Sequence, residues 1–154
     1  MFLALTGLRR NEGGLLTRDQ VNLELGILTI SDTKNGDAHS LPITAVMRQI
    51  LERRMAACEG KDKLFPDVAL EHLAPMAMRA GAPDFMLHDL RKMLASIGEK
   101  AGVGDAVLRR ILNHRAKRSD TLHRHYVQLT AQDIERQLEA VQGLIIDRWN
   151  SKTS

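Results

Sequence analysis

The stretch His88–Tyr126, HDLRKMLASIGEKAGVGDAVLRRILNHRAKRSDTLHRHY, decides how this chain is read. From His88 to Lys100 the apolar positions recur at helical spacing, and Gly102 and Gly104 then stop the helix. Val107, Leu108, Ile111 and Leu112 form the apolar face of a second, shorter helix capped by Asp105. The tripeptide Leu112-Asn113-His114 follows, and a basic segment then runs to Tyr126, the single tyrosine of the protein. His88 and Arg91 are three residues apart, so both side chains leave one helical turn toward one spot. Between Arg109 and His125 six cations (Arg109, Arg110, Arg115, Lys117, Arg118 and Arg124) meet one acid, Asp120. That clustering suits a solvated face or, around two histidines, a surface that faces phosphate.

Working back toward the N-terminus, Phe2, Leu3, Leu5 and Leu8 read as the end of a buried helix broken at Thr6-Gly7. Arg9-Arg10-Asn11-Glu12 follows, and Leu15-Leu16 resumes the apolar pattern. Asn22–Gly26 reads as a turn and Ile27–Ser31 as a strand. Lys34-Asn35-Gly36-Asp37 is a hairpin signal, because Asn-Gly accepts the positive φ angles of a tight turn. Ala38–Ile43 is the return strand, with Pro42 ending it at a sheet edge. Helices then dominate. Thr44 is an N-cap for the stripe Met47, Ile50, Leu51 and Met55, and Leu70–Ala80 reads as helix up to the Gly81-Ala82-Pro83 break. Thr130 and Asp133 form a capping box that opens a last helix with Ile134, Leu138, Val141 and Ile145 on one face. The expected class is α+β and mainly α-helical, with a small N-terminal antiparallel sheet and helices around it.

A chain of 154 residues can bury a single core, and 44% hydrophobic with 27% charged residues is ordinary for a globular domain. Aromatics are only 3%, so aliphatic residues and seven adaptable methionines must build that core. A net charge of +3 fits a polyanionic partner. Cys58 stands alone, which excludes an internal disulfide and suits the reducing cytoplasm. No apolar run approaches the ~20 residues of a membrane span. Met1–Leu8 lacks a basic leader and runs straight into Arg9-Arg10, unlike a signal peptide.

Each polar residue singled out has a plain structural explanation. Arg9 can pair with Glu12 at i, i+3. His88 can be a buried histidine satisfied by a carbonyl, with Asp89 as a salt-bridge partner for Arg91. His114 can cap a helix C-terminus. Lys34 can be a turn lysine and Tyr126 a core or interface aromatic. Together, however, they suit one reaction, attack of a tyrosine hydroxyl on a phosphodiester. Its transition state gathers negative charge on the non-bridging oxygens, which two guanidiniums hold bidentately. The phenol, with a pKa of about 10, needs a base or a strong field, and a nearby histidine supplies either. A lysine on a hairpin tip can protonate the leaving sugar oxygen. Arginines supply the charge neutralisation that a metal would otherwise provide, so no cofactor is expected.

These same residues resemble the catalytic domain of the tyrosine recombinases, the phage integrase family. The matching stretches are Thr6-Gly7-Leu8-Arg9-Arg10-Asn11-Glu12, Thr33-Lys34-Asn35-Gly36, His88-Asp89-Leu90-Arg91, Leu112-Asn113-His114 and Tyr126, in the family's order. Leu-Asn-His, where many members have Leu-Gly-His, is similar to the prophage and genomic-island branch. The resemblance implies that Arg9 and Arg91 clamp the phosphate and that Lys34 protonates the leaving 5′ oxygen. It implies that His88 assists proton transfer, that His114 hydrogen-bonds the phosphate and that Tyr126 forms a 3′-phosphotyrosyl bond. Arg10, Arg115, Lys117, Arg118 and Arg124 would be further DNA contacts. The implied partner is double-stranded DNA carrying attachment sites, bound by a homotetramer, with no membrane involved. The last helix could dock on a neighbouring protomer or pack on its own domain.

Two departures from the family pattern stand out. Residues 1–154 are expected to be an integrase catalytic domain lacking its first part, with no N-terminal DNA-binding domain. Lys92-Met93-Leu94 also follows His-Asp-Leu-Arg where small residues or threonine are frequent. Rival readings are a non-catalytic prophage remnant or DNA-interaction module that keeps the fold, a histidine-based zinc protein or nuclease, and single-duplex DNA relaxation by the same covalent chemistry. His123 and His125 diverge on a helix and no paired-carboxylate motif accompanies them, which disfavours the metal reading.

Overall fold

A computed structural model of the chain describes residues 1–31, 33, 36–66, 69–114 and 129–151. The architecture is α+β, with seven α-helices and a three-stranded antiparallel sheet among the described residues. In chain order these are α1 (Phe2–Thr6), α2 (Arg10–Gly14), β1 (Val21–Asn22), β2 (Ile27–Ile30) and β3 (His39–Pro42). They are followed by α3 (Ala45–Ala57), α4 (Leu73–Arg79), α5 (Leu87–Lys100), α6 (Asp105–Ile111) and α7 (Ala131–Asn150).

The sheet has the order β1-β2-β3. Val21 pairs with Leu28, and Leu28 with Leu41, so one buried apolar row crosses all three strands. Strand alternation puts Ile30 and its partner His39 on the same inner face, and both are buried. Ile30–His39 is the last register pair before the connection that carries Lys34 and Asn35, which lie outside the described residues. At the far side of that connection Gly36 has φ 81, and its N–H donates to the Thr33 carbonyl at 2.9 Å, so this bond closes one residue earlier than a turn centred on Asn35-Gly36 would. β3 is an edge strand, so the missing N–H of Pro42 costs no ladder bond.

Thr44 caps α3 as expected, accepting from the Met47 N–H, and Met47 and Leu51 are the buried residues of that helix. Its C-terminus is closed by Arg18, whose guanidinium donates to the carbonyls of Met55 (2.5 Å), Cys58 (2.6 Å) and Lys61 (3.0 Å). α4 is shorter than the expected helix over 70–80, and Pro75 is the reason. A helix starting at Leu70 would place Pro75 in its interior, where it blocks a ladder bond; a start at Leu73 puts it in the first turn. α6 begins one residue earlier than the Asp105 cap implied: Gly104 occupies the N-cap, and Asp105 instead pairs with Arg109 at 2.7 Å.

α5 lies against α1, α6 and α7. Gly98 makes the crossing close, since a Cβ there would sit 2.6 Å from Leu108 Cδ2 and 3.5 Å from Val141 Cγ2. α7 buries Ile134, Leu138, Val141, Gln142 and Ile145 within its own domain, which decides between the two expectations for its apolar face. Gln142 is a polar residue in that apolar stripe, and both its oxygen and its nitrogen are hydrogen-bonded. Its Nε2 donates to the Leu5 carbonyl at 2.8 Å, and its Oε1 accepts from the Thr44 hydroxyl at 2.7 Å. One buried amide therefore joins α7 to the end of α1 and the start of α3. No helix among the described residues is long and apolar enough to cross a membrane.

Candidate active site at the end of α6

Leu112 is the C-cap of α6, and the next residue, Asn113, has φ 47. The Asn113 N–H reaches the Arg110 carbonyl at 3.3 Å, and the His114 N–H reaches the Arg109 carbonyl at 2.9 Å. This is the Schellman arrangement, and it explains the residue types in Leu112-Asn113-His114. The middle position must be left-handed, which asparagine tolerates better than most residues. The turn reverses the chain and sets His114 just beyond the helix end.

The last carbonyls of a helix have no partner within it. Here the two that follow the Schellman pair are taken by side chains from other elements. Leu112 O accepts from Arg91 on α5, and Ile111 O accepts from His39 on β3 at 3.1 Å. Arg91 is buried, and its second terminal nitrogen donates to the Gly7 carbonyl at 2.6 Å. It thus joins the α1–α2 corner to the end of α6. Gly7 is left-handed at φ 64 and lies so close to Leu112 that a Cβ would stand 2.8 Å from Leu112 Cδ2.

Arg9 leaves the same corner as the N-cap of α2. Glu12, buried on that helix, accepts from the Arg9 backbone N–H and from its guanidinium, both at 2.8 Å. The i, i+3 pair expected from the sequence is present, and it orients Arg9. Arg9, Arg10 and Gln20 line one groove with Ile30 and Thr33, the residue before Lys34. Arg10 is exposed at its rim.

The electrostatics show how tightly these cations are drawn together. Burial lowers the Arg91 pKa to about 10, and the neighbouring Arg9 charge pushes in the same direction. The guanidinium stays charged at neutral pH. His114 is pushed below its ordinary value by burial first, then by Arg91, Arg9, Arg109 and His88. Its imidazole is therefore held neutral among cations. His88 is exposed on the first turn of α5, not the buried histidine its plain explanation required. Asp89 serves neither His88 nor Arg91 as a salt-bridge partner: it accepts from the Met86 N–H and the Lys92 ammonium, both at 2.8 Å.

The structure brings together Arg9, His88, Arg91 and His114. Lys34, Tyr126, Arg115, Lys117, Arg118 and Arg124 lie outside the described residues. Two participants were not singled out in the sequence. His39 was signalled by strand alternation, being two residues from the inward Leu41, and Gln142 by its place in the apolar stripe of α7. A pair of arginines and a neutral histidine, with Glu12 as the carboxylate paired to Arg9, can hold a phosphate and donate hydrogen bonds to it. Among the described residues no three His, Cys, Asp or Glu side chains are gathered as around a metal ion.

The chain belongs to the phage integrase family, which it matches over residues 1–133. Over 125 residues it is 26% identical to tyrosine recombinase XerA of Saccharolobus solfataricus. That match takes in 79% of this chain and 43% of the relative, so the chain spans less than half the length of the curated protein it matches.

Proposed function

We propose that this chain carries the catalytic centre of a site-specific DNA recombinase. The observation that carries the reading is the convergence of Arg9, Arg91 and His114 at the end of α6, in a chain of this family. In this reading Arg9 and Arg91 neutralise the non-bridging oxygens of the scissile phosphate, and His114 donates a hydrogen bond to one of them. Arg91 uses one N–H of each terminal nitrogen on a carbonyl, which leaves its Nε–H and the second N–H of each for the phosphate. Tyr126 attacks phosphorus, His88 assists removal of the phenolic proton, and Lys34 protonates the departing 5′ oxygen. A 3′-phosphotyrosyl bond forms as the phosphodiester breaks, so strand energy is conserved and rejoining needs no ATP. Attack by the 5′ hydroxyl of a partner strand reverses the chemistry on a new duplex. Arg10, Arg115, Lys117, Arg118 and Arg124 hold the DNA backbone, and a homotetramer carries out the exchange at paired attachment sites of a mobile element.

The test is covalent capture on nicked suicide duplexes drawn from a random-sequence pool, read on a denaturing gel. A protein–DNA adduct is expected with the unaltered chain and none with Tyr126→Phe. No adduct, or an undiminished one with Tyr126→Phe, overturns the reading and leaves a DNA-interaction module without turnover.

A further inference from the structure

We propose that His39 is a positioning residue for strand cleavage, coupling the base of the β2–β3 hairpin to the end of α6. The inference rests on the recombinase reading above. His39 lies on the last ladder pair before the connection that carries Lys34. Its ring reaches across to α6, with Nε2 3.1 Å from the Ile111 carbonyl and Nδ1 3.2 Å from an Arg110 nitrogen. The two partners fix the tautomer. A carbonyl only accepts, so Nε2 carries the proton; a guanidinium only donates, so Nδ1 is bare.

The placement distinguishes His39 from an ordinary core residue. Ile111, Leu112 and His114 are nearly consecutive, and each has a different task. Ile111 is held by the sheet through His39, Leu112 is held by α5 through Arg91, and His114 faces the other cations. Arg91 therefore sets the end of α6 against the α1–α2 corner, and His39 sets it against the hairpin. Among the described residues His39 supplies a polar link between the hairpin base and the helix that presents His114. An apolar residue of similar size would fill the space but leave the Ile111 carbonyl buried and unpaired. The charged groups facing the ring are Arg110 from α6, Arg91 from α5 and Glu12 from α2, and only Glu12 favours its protonated form.

The experiment compares His39→Ala, His39→Asn and His39→Gln on the duplex that forms the Tyr126 adduct. Only the glutamine amide is long enough to donate to the Ile111 carbonyl. DNA affinity and the adduct rate at saturating DNA are measured separately, with the folded fraction read from circular dichroism. Misplacement of reacting groups by about 1 Å costs roughly a hundredfold in rate, so Ala and Asn are expected to slow the saturated rate by about that factor. DNA affinity should stay within about threefold, and Gln should recover the rate to within about tenfold. Should Ala fail to fold, the contrast between Asn and Gln decides. An unchanged rate in Asn, or equal losses in Asn and Gln, overturns the proposal. If the unaltered chain forms no adduct, the recombinase reading falls, and the NMR titration of the His114 ring then tests the coupling alone. A titration displaced in His39→Asn and restored in His39→Gln supports it, and one unmoved in both overturns it.

Discussion

Arg9 and Arg91 reach one patch by opposite means. Arg9 is oriented by a carboxylate, Glu12, which also supplies the nearest negative charge to the cluster. Arg91 has no carboxylate partner described and leans on two carbonyl oxygens, which orient a guanidinium without cancelling its charge. The sequence pattern located both arginines, but it could not say which would be paired, because each has an acid within three positions, Glu12 for Arg9 and Asp89 for Arg91. Helix geometry decides it: Asp89 is three residues past Met86 and is drawn to the N-terminus of its own helix. His39 illustrates the opposite case, a residue with no motif around it whose importance comes from a contact 72 positions away. It also makes a stability prediction. Burial, reinforced by Arg110, lowers its pKa to about 4. The unfolded chain, with an ordinary value near 6.5, then binds the proton first. Stability is full above about pH 6.5 and falls as pH drops toward 4, by on the order of 3 kcal/mol from this residue. Urea melts across that interval should show the slope in the unaltered chain, and His39→Gln should flatten it.

Elements meet here through their ends. The C-terminus of α1, the N-terminus of α2 and the C-terminus of α6 supply the carbonyls and caps that fix Arg9, Arg91 and His114. Helix ends are where unpartnered backbone groups occur, so they are natural anchorage for buried donors. Most of this scaffold was legible in the sequence: the break at Gly7, the hairpin, the caps at Thr44 and Thr130, and the stop after Lys100. The misjudged details, the start of α4, the cap of α6 and Asn22, read as turn but paired with Ile27 in β1, were local competitions between neighbouring residues that only packing resolves. Gly7 is the point where the ends come closest. Gly7→Ala must place a side chain at φ 64 and displace Leu112, whose carbonyl holds Arg91. A loss of about 1–3 kcal/mol in denaturant unfolding is expected from left-handed backbone and overpacking together. An unchanged midpoint would show that Leu112 yields without cost.

At the scale of the molecule, the fold is closed by one amide. Gln142 ties the last helix to the first and to the start of α3, with every polar atom involved buried and paired. Removing it leaves the Thr44 hydroxyl and the Leu5 carbonyl without these partners, at about 1–3 kcal/mol each. Gln142→Ala is therefore expected to lower stability by roughly 2–5 kcal/mol, adding a cavity to those losses. Thermal unfolding should still show a single transition, because α1, α3, α5 and α7 share one core. Two separated transitions would mean that α7 melts independently.

That same amide sets an order of events during synthesis. The Leu5 carbonyl leaves the ribosome well before the side chain that satisfies it, which follows 137 residues later. Arg91 likewise finds Gly7 already made but must wait for Leu112. Contacts of such long sequence separation form late, since the intervening chain must be ordered before they reward it. Arg91 is thus fixed only once Leu112 has been made, and Gln142 closes the core behind that centre later still.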